Sequence, residues 1–287
     1  MDKALNSFVL YFALPCLLYR FGANTPVAQL LDGGLVAVYL LCALIMVAFT
    51  IAVTRTLRIG WNDASFGALV AAFPNTGFMG VPLLVALLGA EAAGPAIVTI
   101  VVDLLVTSSL CIALSRLDSA DSHGAEVAAK NALKGVALNP MPWAIALGAV
   151  SSGLAITLPA PVMQTVGLLA DAASPVALFT IGAVLARSQM NSVEKIPVQD
   201  YLPVALIKLV LHPLLVGLVG LSAIQLGVPL QPFALTVIVL VAALPSASNV
   251  SLLAERFGAN NGRIARIILL STVLAFFTFS GAVALLT

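Results

Sequence analysis

An all-α polytopic membrane protein, made of two inverted repeats with one broken helix in each, is the fold class that this sequence predicts. Three observations carry it. The 287 residues are 61% hydrophobic and 9% charged, with a mean hydropathy of +1.11. A soluble surface needs roughly a quarter charged residues, so this chain cannot cover one. The apolar residues gather into nine segments, at about 4 to 21, 35 to 54, 64 to 88, 93 to 116, 141 to 157, 162 to 186, 202 to 223, 231 to 254 and 264 to 286, against the ~20 residues that cross hydrocarbon. Finally, polar interruptions led by proline fall inside the third and eighth segments, at FPNTGF (73 to 78) and LPSASN (244 to 249).

The first segment follows Lys3 and could be read as a secretory leader. It holds Pro15, is long for a leader core and lacks a small-x-small cleavage site, so it is read as a retained helix. A connection containing Gly and Asn (22 to 34) leads to the second segment. The third is interrupted by Pro74, which lacks an amide hydrogen and clashes with the preceding turn, so the helix must break there. In hydrocarbon each orphaned backbone group costs several kcal/mol, and irregular backbone at that depth survives only where protein buries it or a cavity accepts it. After the fourth segment comes the one long polar stretch, 117 to 139, with Asp118, Asp121, His123, Glu126, Lys130 and Lys134. The eighth segment repeats the proline-led break at Pro245. Cys16, Cys42 and Cys111 all lie in apolar segments and read as small hydrophobes, not as a disulfide frame or a metal site.

Threading nine crossings places Lys3, Arg55, Arg58, Arg116, Lys130, Lys134, Arg187, Lys195, Arg256, Arg263 and Arg266 on one side and Arg20 alone on the other. The positive-inside rule makes the charged side cytoplasmic. An inner-membrane, multi-pass protein is expected, with the start of the chain and the linker cytoplasmic and the C-terminus outside. The formal net charge of +1 gives nucleic acid nothing to bind, so the lipid bilayer is the expected partner.

Aligning Pro15 with Pro175 sets ALPCLLYRFGA (13 to 23) over ASPVALFTIGA (173 to 183), and aligning Gly89 with Gly258 pairs the ends of the two broken segments. Segment one then matches segment six. Five crossings separate them, and an odd number inverts the second copy. Inverted repeats with paired interrupted helices point to a secondary transporter with its site near the midplane. The expected units are a first repeat over 1–116, a cytoplasmic linker over 117–140 and a second, inverted repeat over 141–287. Nothing precedes segment one to match segment five, so the first repeat is read as lacking its first helix: nine helices visible of an expected ten.

At each break the following half-helix, from Thr76 and Gly77 or from Ala247, offers amides and a positive dipole end to an anion. The preceding half-helix ends in carbonyls suited to a cation or to donors. Asn75, Thr76, Ser246, Ser248 and Asn249 can complete such a site without charge. The alternative is that these side chains only satisfy the backbone groups freed at proline kinks. Ionisable groups inside the membrane are the next candidates. Asp103 lies near the middle of segment four, Asp171 lies in segment six among small residues, and His212 stands beside Pro213; each is a candidate for coupling H+ or Na+, and the alternative is a buried carboxylate hydrogen-bonded to neighbouring helices for Asp103 and a hydrogen-bonded packing residue for His212. Lys208 is read as snorkelling to the cytoplasmic interface. No cofactor is expected. HExxH and GxSxG patterns are absent, so an enzyme is not expected.

PNTGFMGVPLL (74 to 84) resembles the PNT-x-x-MG-x-PLL signature of the auxin efflux carrier family, which includes plant auxin exporters and bacterial malonate-transporter-like proteins. LNP (138 to 140) is similar to that family's Asn-Pro, and LPSASN with LLAERFGAN (252 to 260) to its second break and exit. The likeness spans the whole chain in order. It implies a ten-helix fold akin to bile-acid symporters and sodium/proton antiporters, with a scaffold domain and a transport domain where the two broken helices cross. It also implies that Asn75 and Asn139 bind the substrate carboxylate and that Pro74 and Pro245 are the crossover prolines. The short linker suits a bacterial member. Related folds often dimerise, so a homodimer is an expectation.

The function expected is secondary transport, by efflux, of a small organic anion through alternating access. A cation/proton antiporter or sodium-coupled symporter of the related fold is the alternative, although neither break contains the acid that an antiporter would need. A non-transporting scaffold or sensor is a third reading, and it leaves the paired breaks without a reason.

Overall fold

The computed structural model describes residues 2–25, 32–117, 140–191 and 196–287. Most of the linker read between the halves, Asn139 included, lies outside these residues. The described residues are helical apart from turns and connections. Helix α1 runs through Asp2–Phe8, Val9–Ala13 and Leu14–Asn24, and α2 is Gly33–Thr54. The third apolar segment divides into α3, Trp61–Ala72, and α4, made of Thr76–Gly80 and Val81–Leu88. Helix α5 joins Ala93–Val102, Asp103–Thr107 and Ser108–Leu114; α6 is Pro140–Gly153 and α7 is Ala160–Asn191. Helix α8 joins Leu202–Leu206, Ile207–Leu211 and His212–Gln225. The eighth segment divides into α9, Pro232–Ala243, and α10, Asn249–Phe257, and α11 is Asn261–Leu286.

Four of these helices are long and apolar enough to cross a membrane: Gly33–Thr54, Ala90–Leu114, Leu202–Gln225 and Asn261–Leu286. Their outward sides carry Leu214, Leu218, Phe276 and Phe277, which protein leaves exposed and which suit lipid contact. The innermost elements are the two half-helices that lead into the breaks. In α3 every residue from Ala64 to Ala72 is buried, and α9 is buried along most of its length. Small and branched apolar side chains allow this, because they bring no charge that would need water.

Helices α1 and α6 pack backbone to backbone at a glycine pair. A Cβ on Gly22 would strike the Ile145 carbonyl oxygen, and one on Gly148 the Tyr19 carbonyl oxygen. Small residues are what let membrane helices approach so closely. Two polar contacts hold this pair in register: Tyr19 to Ser151, 3.1 Å between hydroxyl oxygens, and the Ser152 hydroxyl donating to the Thr25 carbonyl at 2.8 Å.

Among the described residues, widened π turns occur in four helices, within three at Val9–Ala13, Asp103–Thr107 and Ile207–Leu211 and at the start of α4 at Thr76–Gly80. Three of them have a cause in the sequence. Pro15, Pro82 and Pro213 each stand two residues beyond a turn, where the missing amide and the ring forbid the ordinary i to i−4 bond. The turn at Asp103 has no proline. There the Ser108 hydroxyl donates to the Asp103 carbonyl at 2.8 Å.

Candidate functional site

The two breaks meet. The Asn75 amide donates to the Pro245 carbonyl at 2.8 Å and the Ala247 amide to the Phe73 carbonyl at 2.9 Å, pairing Pro74 with Ser246 as a single antiparallel bridge. Each break thereby satisfies backbone groups that the other has freed, which meets the requirement for irregular backbone at membrane depth. Asn75, at φ −77° and ψ 52°, forms an inverse γ-turn closed by the Thr76 amide donating to the Pro74 carbonyl at 2.8 Å. The Asn75 carbonyl then accepts from Met79 at 3.1 Å and Gly80 at 3.0 Å. The Ser246 amide donates to the Ser271 hydroxyl of α11 at 3.2 Å.

This pairing changes what the breaks can offer. The amides of Thr76 and Ala247, expected to face an anion, are engaged within the protein. So is the Phe73 carbonyl expected to face a cation. The side chains are freer than the backbone. Asn75 and Ser248 cap no helix amide, and the hydroxyls of Thr76, Ser246 and Ser248 are buried with no hydrogen-bond partner among the described residues. The reading in which these residues merely satisfy kinked backbone requires the opposite arrangement. A buried polar group without a partner costs about 1–3 kcal/mol, and such groups gather where a ligand completes them.

Between the breaks lies a cavity of about 20 Å³, room for roughly one water molecule. Asn75, Gly77, Ala247 and Asn249 line it, together with Leu18 of α1 and Met141 of α6. Met141 is two residues beyond Asn139, so the start of α6 reaches this site. Gly80 permits the tight closure, since a Cβ there would press on Leu244.

Asp103, Asp171 and His212 do not form one group. Asp171 pairs with Arg20 at 2.8 Å, on a part of α7 where its side chain is 68% exposed. Asp103 is buried between α2 and α5: Oδ2 accepts from the Tyr39 hydroxyl at 2.9 Å and Oδ1 from the Thr107 hydroxyl at 3.0 Å. His212 is buried as well, and its Nδ1 lies 2.9 Å from the Lys208 Nζ. Lys208 departs from the expectation of snorkelling. It is fully buried, and its Nζ donates to the Ala242 carbonyl at 2.9 Å, in the last turn of α9 before the second break. A cation does sit at the carbonyl end of that half-helix, then, and it is the protein's own lysine. Lys208 and His212 stand at i and i+4 on one helix face, the signal by which Lys208 could have been placed inside.

Comparison with known proteins supplies the wider context. The family model described as "Membrane transport protein" matches residues 1–283. A relative in Rhizobium meliloti (strain 1021), named "Putative malonate transporter", is 28% identical over 284 residues, covering 98% of this chain and 86% of the relative. The "Uncharacterized transporter YfdV" of Escherichia coli (strain K12) is 30% identical over 196 residues, 68% of this chain and 59% of that protein.

Proposed function

The chain belongs to the membrane transport protein family, and from that premise we propose that it carries a small organic anion across the inner membrane, with a short dicarboxylate such as malonate as the first candidate. The observation that carries this reading is the meeting of the two breaks. Paired backbone closes the crossing, while Thr76, Ser246 and Ser248 keep hydroxyls at it that have no partner among the described residues, and Asn75 and Asn249 line the cavity beside them. These neutral donors hold a carboxylate with no charged side chain among them, and Asn139, which precedes Pro140 in the sequence, joins them as the second carboxylate ligand. The name of the Rhizobium relative supports a dicarboxylate. A cavity this small holds no malonate, so binding requires the breaks to separate from α1 and α6. Such a motion is the step that alternating access needs. Efflux, the direction taken from the family resemblance, and uptake are both read in the same assay.

The test is counterflow of labelled malonate into proteoliposomes. Wild-type protein exchanges it. Asn75→Ala weakens the apparent affinity by roughly tenfold or more, the worth of a hydrogen bond to a charged group, while yield and membrane insertion stay at the wild-type level. Unaltered affinity in that variant removes Asn75 from the site. Failure of the wild type to exchange malonate or any of a panel of small carboxylates removes the transport reading.

A further inference from the structure

Beyond the crossing, the core holds a second group of functional side chains that do not line the cavity between the breaks. Asp103 on α5, and Lys208 and His212 on α8, are all fully buried. The Lys208 Nζ lies 2.9 Å from His212 Nδ1. Tyr39 of α2 joins the two sides, with its hydroxyl on Asp103 at 2.9 Å and its ring 6.2 Å from that of His212. The remaining titratable groups facing the cluster are Cys42 on α2 and Cys111 on α5. Helix α9 brings no charge to it, and the ionisable residues of α3 and α11, Asp63, Arg263 and Arg266, lie at the starts of those helices.

Three features mark this as more than a structural ion pair. The first is the π turn at Asp103, the only one of the four without a proline to cause it; such turns are frequent at functional sites. The second is His212 Nε2, buried with no partner among the described residues. The third is the bond from Lys208 to the Ala242 carbonyl, which ties the cluster to the second break.

We infer that Asp103, Lys208 and His212, with Tyr39, form a proton-exchange site whose occupancy is coupled to the anion at the crossing. The inference rests on the transport reading and deepens it. With Asp103 ionised and Lys208 protonated the cluster is neutral. A hydronium ion gives up a proton to Asp103 and leaves as water, an O–H bond forming on the carboxylate as one in hydronium breaks; the positive charge of Lys208 is then no longer balanced, and an anion at the adjacent break restores neutrality. Proton and anion thus favour one another's binding by the same factor, as linkage requires. The ion is H+ and not Na+, because a buried ammonium repels a metal cation and both Asp103 oxygens already accept hydroxyl donors. Co-movement follows the proton gradient, which in a respiring bacterium points inward, so uptake and not efflux is the working direction.

The test combines transport with a measurement that needs no substrate. In proteoliposomes an inward proton gradient raises malonate uptake by roughly tenfold, within the usual range of coupling factors. In Asp103→Asn, whose amide mimics the protonated acid, labelled malonate still exchanges but the gradient has no effect. In pH-difference infrared spectra the wild type shows a protonated-carboxyl band that Asp103→Asn lacks and whose frequency Tyr39→Phe moves. Equal stimulation by the proton gradient in wild type and Asp103→Asn overturns the inference, as does stimulation by a sodium gradient alone. If no carboxylate moves at all, the transport reading has failed, and the infrared band then decides the proton site: its presence only with Asp103 sustains the site and its absence from the wild type overturns it.

Discussion

Thr76 and Ser248 separate a binding role from a structural one, because their hydroxyls are buried and bonded to nothing among the described residues. Thr76→Val keeps the shape of the side chain and removes the unpaired oxygen. The fold is expected to hold its stability or to gain up to about 1–3 kcal/mol, the penalty of an unsatisfied buried group, while malonate counterflow falls. Thermal unfolding in detergent beside the transport assay measures both; a loss of stability together with transport would make Thr76 a structural residue. At this scale the sequence was informative where a residue is out of place. Asn75 and Thr76 stand out as polar groups in an apolar run, and the structure puts them where the breaks meet. Lys208 was misplaced, because its distance from the end of a segment says nothing about which way its helix face is turned. Arg263 shows the same limit. Counted among the cytoplasmic charges, it is buried, with Nε donating to the Asp200 carbonyl at 2.7 Å and Nη1 to the Asp63 carbonyl at 2.8 Å.

Among the elements, the α1–α6 pair is the contact most sensitive to one added methyl group, since backbone faces backbone at Gly22 and Gly148. Gly148→Val must push the helices apart and is expected to cost about 1–3 kcal/mol, read as a lower unfolding temperature in detergent, with Gly148→Ala giving a smaller fall. A wild-type melting curve for the valine variant would mean that the two helices are not in contact in solution. Both helices also line the cavity, so transport should fall with stability in this variant, in contrast to Thr76→Val. Element boundaries were legible where proline carries them. Pro74 and Pro245 mark the two interruptions, and Pro15, Pro82 and Pro213 account for three π turns. What could not be read was how the freed backbone is satisfied. That depends on which break faces which, a long-range pairing that leaves no local trace, and for the same reason the engaged amides of Thr76 and Ala247 were expected to be free. The π turn at Asp103 has no proline to announce it; the bond found there is the local one from the Ser108 hydroxyl to the Asp103 carbonyl.

For the molecule as a whole, four of the charges that the threading assigns to the cytoplasm make contacts among the described residues. Arg58 pairs with Asp200 at 3.4 Å, Arg55 stacks on Trp61 at 4.4 Å, and Arg116 and Arg256 lie over Phe257 at 5.3 and 5.7 Å. Membrane-impermeant maleimide tests the orientation in a background with Cys16, Cys42 and Cys111 replaced by alanine. Ser119→Cys should react only from the cytoplasmic face, in inverted vesicles, and Thr287→Cys only from the outside, in intact spheroplasts. Labelling of both from the same face would break the threading of the chain. Hydropathy and charge counting were enough for the membrane class, because lipid penalises every uncovered polar group. They could not reach the relation between the breaks, which has a consequence for how the protein is made. The two hydrogen bonds that close the crossing join residues about 170 positions apart, and at ~5–20 residues per second the ribosome needs roughly 10–30 s to deliver the second after the first. Through that interval the nascent first half lies in the bilayer with Phe73 and Asn75 lacking their backbone partners, so its residence at the insertion machinery, and its exposure to membrane proteases, is set by the arrival of Pro245.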